Sequence, residues 1–142
     1  MEGQGMMQMI AEAFRTGGVW MYLVLAIAAI THPAGILSLI GAFLAKPGQR
    51  KFVIGLGVLG LLGVVGTILI GWVGYTVGII EMNEALEKVS PENAEKMREL
   101  GTRLSKYPLN FSLLASVFPG IASVLVLIRG LTLRSDQGQP TA

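Results

Sequence analysis

The chain has 142 residues, a mean hydropathy of +0.62 and 14% charged residues, well below the roughly 25% of soluble domains. That balance excludes an ordinary water-soluble enzyme, and a net charge of +2, with Lys and Arg at segment ends rather than along one face, excludes a nucleic-acid binder. With no cysteine there are no disulfides, thiol nucleophiles or thiolate metal sites, and no motif implies a metal or other cofactor.

Residues 1–17 set Met6, Met7, Met9, Ile10, Ala13 and Phe14 against Gln8, Glu12 and Arg15. This spacing predicts a short helix lying on the membrane surface, with a frayed terminus as the alternative. Gly17-Gly18 breaks the pattern, and a first span is predicted over 19–45, with a kink at His32-Pro33. Cleavage after Ala26-Ile27-Ala28 is the competing reading, but Arg15 is the only upstream base and Glu2 and Glu12 offset it.

The connector 46–51, Lys46-Pro47-Gly48-Gln49-Arg50-Lys51, reads as a tight basic reversal. A second span follows over 52–80 with eight glycines. Gly63, Thr67, Gly71, Gly74 and Gly78 fall on one face at spacings of three and four, which predicts close helix packing there and makes this helix the expected packing centre.

Residues 81–108 carry six acidic and five basic residues, so a helical hairpin outside the membrane is predicted. Met82, Ala85, Leu86 and Val89 form its first apolar stripe, and Met97, Leu100 and Leu104 its second. Ser90-Pro91 starts the returning helix. Tyr107-Pro108 leads into a third span over 109–130, interrupted at Pro119-Gly120, and 131–142 is a polar tail. The spans are free of Asp, Glu, Lys and Arg over about the 20 residues a crossing needs, so the predicted fold is all-α, polytopic, with three transmembrane helices in a lipid bilayer.

Lys46, Arg50 and Lys51 in the connector and Arg129 and Arg134 at the end, against Arg15 alone at the start, predict the N-terminus outside and the C-terminus in the cytoplasm. Trp20, Tyr22, Trp72, Tyr75 and Tyr107 toward the opposite face fit an aromatic belt.

Three patches in order resemble the MotA/TolQ/ExbB family of proton-channel subunits of the bacterial inner membrane. Phe14-Arg15-Thr16-Gly17-Gly18-Val19-Trp20-Met21-Tyr22-Leu23 resembles the F-x-x-G-G-x-x-M-Y-x-L that opens the family's first span. Gly60-Leu61-Leu62-Gly63-Val64-Val65-Gly66 resembles G-L-L-G-T-V-x-G, and Ala115-Ser116-Val117-Phe118-Pro119-Gly120-Ile121-Ala122-Ser123-Val124-Leu125 resembles A-T-V-A-P-G-I-A-E-A-L. The resemblance implies a homo-oligomeric ring of subunits around a single-span membrane partner. It covers about a fifth of the chain, and the family's large cytoplasmic domain shrinks here to the connector.

Where the family carries polar pore residues, this sequence has Val64, Ser123 and, by spacing, Ile128. Thr67, three residues on from Val64, is a candidate replacement hydroxyl; its alternative reading is a bond to its own helix. His32, the one mid-span ionisable group, is a candidate proton relay or pH sensor; its alternative is a neutral imidazole bonding a carbonyl freed by Pro33. Glu81 is read as a hairpin cap beyond the belt. Two functions stay open: an ion-conducting subunit of transport or energy transduction, and a non-conducting scaffold that engages a partner through the hairpin. An enzyme is not expected, because the spans hold no carboxylate to pair with His32 as acid and base.

Overall fold

The computed structural model describes Gln8, Ala11, Phe14, Arg15 and residues 17–133. The predicted surface helix over 1–17 and the tail over 131–142 therefore lie largely outside the described residues. Three long α-helices hold most of what is described: α1, Gly18–Leu44; α2, Arg50–Leu86; and α3, Pro91–Thr132. No strand occurs among the described residues.

Each helix starts where local chemistry permits. Gly18 has a φ of 59°, a left-handed conformation that glycine adopts without strain, and α1 runs on from it. After Leu44 a short 3-10 turn, Pro47–Gln49, reverses the chain. It is closed on both sides, since Gln49 N–H donates to the Lys46 carbonyl at 2.9 Å and Lys46 N–H donates to Gln49 Oε1 at 3.0 Å. Between α2 and α3, Asn93 N–H donates to the Ser90 carbonyl at 3.0 Å, with Pro91 in the first helical position where its missing N–H does no harm.

The prolines do not divide the helices. Pro33 lies inside α1, and α3 runs unbroken through Pro108 and Pro119, so the expected interruption at Pro119-Gly120 is absent. An apolar surround gives a helix no other partners for its backbone, which favours keeping the ladder on either side of each missing N–H.

The helices contribute to two compact units, one from Met1–Ala26 and Thr67–Ala115, the other from Ile27–Gly66 and Ser116–Ala142. In the first, Met21 and Val24 are buried and glycines of α2 meet α3 almost backbone to backbone. A Cβ on Gly71 would strike the Ser112 side chain and lie 2.8 Å from the Pro108 carbonyl. One on Gly74 would lie 2.8 Å from Trp20 Cβ, and one on Gly78 3.1 Å from Ser105 Cβ. In the second unit, Ala42, Val53, Val126 and Leu133 form a core. There a Cβ on Gly57 would lie 3.0 Å from the Leu127 nitrogen, and one on Gly130 3.0 Å from the Ile54 nitrogen.

Of the apolar windows of the three helices, 33% of α3 is buried, against 17% of α2 and 11% of α1. The glycines of α2 supply closeness but no side chains.

Large apolar side chains face outward on every helix, among them Ile30 at 70%, Leu44 at 77% and Leu114 at 74% exposure. In water each would forfeit about 25 cal/mol per Å² of burial. All three helices are long and apolar enough to cross a membrane, and the chain is a multi-pass integral membrane protein in contact with lipid.

Candidate functional site

The polar side chains inside the apolar segments are the natural place to look for chemistry. In the second unit they gather around a cavity of about 270 Å³ whose wall includes Thr31, Ser38, Gly60, Gly63, Pro119 and Ser123. Ser123 is buried, and its Oγ–H donates to the Pro119 carbonyl one turn back at 2.7 Å. Its side chain sits directly on Gly60, where an added Cβ would collide with Ser123 Oγ. Thr31 Oγ1 reaches the Ala28 carbonyl at 3.4 Å and lies 3.6 Å, through Cγ2, from where a Gly63 Cβ would be.

His32 is half-buried and does not line this cavity. Its Nδ1 lies 2.8 Å from the Ala28 carbonyl, and its ring stacks on Phe118 with centroids 5.6 Å apart and planes 16° apart. A carbonyl only accepts, so Nδ1 carries a proton. The carbonyl engaged is not Ala29, the one Pro33 leaves without a helical donor. The imidazole shares the acceptor of its own backbone N–H instead.

The other candidate pore positions are scattered. Val64 is half-buried, 4.0 Å from where a Gly120 Cβ would sit, while Ile128 faces outward at 53% exposure. Thr67, 3% exposed, belongs to the first unit. There Ser105 donates to the Gly101 carbonyl and Ser112 to the Leu109 carbonyl, each at 2.8 Å. A second cavity, of about 360 Å³, is lined there by Trp20, Gly74, Gly78, Glu81 and Ser105 among others, with Glu81 exposed. Of the predicted packing set, Gly71 and Gly74 are buried against their neighbours, Gly78 presses on Ser105, and Gly63 lies against Thr31.

Three features escaped the sequence reading. Phe118 as the platform for His32 and Gly35 within 3.5 Å of Ala122 and Phe118 both depend on how α1 and α3 pair, which periodicity does not encode. The third is polar: Nε of Arg50 and Nε of Arg129 are shielded from solvent with no hydrogen-bond partner. Among the described residues no group of three His, Cys, Asp or Glu is placed to hold a metal ion. No protein-family model, curated protein or solved structure matches the chain.

Proposed function

We propose that this chain is an oligomer-forming membrane subunit, built on a plan resembling the MotA/TolQ/ExbB channel subunits, that acts as a non-conducting scaffold. The observation that carries this reading is Ser123. It stands where the resemblance expects an ionisable pore residue, yet its hydroxyl is tied to the Pro119 carbonyl and wedged against Gly60. A proton path needs groups free to exchange partners, and hydroxyls bonded back to their own helix are poor relays.

The subunit character is supported by glycines that meet no close neighbour among the described residues. A Cβ on Gly41, Gly55 or Gly66 would meet nothing within 4 Å. An idle helix glycine is unfavourable by about 1 kcal/mol relative to alanine, which favours a use in close approach by another helix, a second copy or a single-span partner. Helix length supports the extramembrane hairpin: α2 and α3 have 37 and 42 residues, about 55 and 63 Å at 1.5 Å per residue, against a hydrocarbon core of about 30 Å. The charged segment 81–108 holds the surplus, with Met82 packed on Gly101 and exposed Met97 and Leu100 open to a partner. The basic connector and the Arg129 in the last turn of α3 support a cytoplasmic position for that end, with the hairpin outside.

Conduction is the second reading, favoured by His32, the ionisable side chain within α1. Proton flux into liposomes holding the purified chain separates the two. The scaffold reading expects flux equal to that of protein-free liposomes, in the wild type and in His32→Ala alike. Flux that exceeds the blank and disappears in His32→Ala establishes a histidine relay instead.

A further inference from the structure

Among the described residues, the connector end of the second unit holds the cations Lys46, Arg50, Lys51 and Arg129, while residues 27–66 and 116–133 contain no Asp or Glu. The one acidic residue nearby in sequence, Asp136, is outside the described residues. The two arginines come to the same end from different helices. Arg50 is the first residue of α2, one turn before Ile54; Gly130, next to Arg129, lies so close that its Cβ would be 3.0 Å from the Ile54 nitrogen.

Both guanidinium groups are half-buried, and the Nε of each is shielded from water without an acceptor. A charged donor out of reach of solvent is expensive unless something accepts from it. An arginine side chain offers Nε–H and an Nη–H as a parallel fork, the geometry that two oxygens of a phosphate accept together. The lysines, both exposed, add charge without that geometry. The position is the rim of an apolar bundle, where long basic side chains keep their stems on the protein and their heads at the level of lipid phosphates.

We propose that Arg50 and Arg129, flanked by Lys46 and Lys51, form a phosphate site occupied in the membrane by the headgroup of an anionic lipid. The site stands apart from the question of conduction, because it requires only the packing of α2 against α3 at this end.

Purified full-length protein in neutral detergent is titrated with phosphatidylglycerol, phosphatidylcholine or inorganic phosphate, with thermal unfolding and lipid retention in native mass spectrometry as readouts. Phosphatidylglycerol is expected to stabilise the protein and remain bound, phosphatidylcholine and free phosphate much less. In R50Q/R129Q the apparent affinity falls about tenfold or more, the scale of one lost charged hydrogen bond, while K46Q/K51Q, which removes flanking charge but keeps the fork, loses only about two- to threefold. R50K/R129K, which keeps the charge but loses the fork, is expected to bind several-fold more weakly, and decides the matter if the glutamine pair does not fold. Equal binding by the folded arginine variants overturns the site. Protection by inorganic phosphate equal to that by phosphatidylglycerol overturns its assignment to a lipid.

Discussion

Two serines on α3 face the same apolar surround in opposite states. Ser123 donates to the Pro119 carbonyl, whereas Ser116, 6% exposed, has its Oγ buried with no partner among the described residues. Removing a bonded hydroxyl loses the bond, while removing an unpartnered one relieves a desolvation penalty of about 1–3 kcal/mol. Ser116→Ala is therefore expected to leave stability unchanged or raise it by about 1 kcal/mol, and Ser123→Ala to lower it by a similar amount, in denaturant titrations followed by circular dichroism. That His32 carries the one mid-span imidazole is legible from composition. That it stacks on Phe118 and shares the Ala28 carbonyl is not, because those contacts are set by the pairing of α1 with α3 and by rotamer choice.

Among the elements, glycine separates into two functional kinds. Gly57 and Gly71 face backbone of α3, at 3.0 Å from the Leu127 nitrogen and 2.8 Å from the Pro108 oxygen for an added Cβ, so the neighbour has no rotamer by which to yield. Gly57→Ala and Gly71→Ala should destabilise by about 1–3 kcal/mol despite alanine's better helix propensity. The Gly71, Gly74 and Gly78 face was legible because its spacing of three and four recurs within one segment. Gly57 and Gly130 were not, since their partners Leu127 and Ile54 come from segments whose mutual register no local pattern states. Charge-free stretches located the three helices for a related reason: length and polarity are local. Pro108 and Pro119 read as a boundary and an interruption because proline breaks helices in water, yet α3 continues past both, as α1 continues past Pro33.

At the scale of the whole molecule, the glycines without a close neighbour among the described residues and the charged segments at 46–51 and 81–108 are open to test. A Cβ on Gly66 meets nothing within 4 Å among the described residues, so Gly66→Leu is expected to leave the monomer fold intact and weaken self-association, read as a smaller particle by native mass spectrometry. The three crossings themselves are open to direct measurement because the natural chain has no cysteine. Gly48→Cys in the connector and Glu95→Cys in the segment between α2 and α3 are to be labelled with a membrane-impermeant maleimide in right-side-out vesicles. The account predicts that Glu95→Cys reacts at once and Gly48→Cys only after permeabilisation; reaction of both from the same side contradicts it.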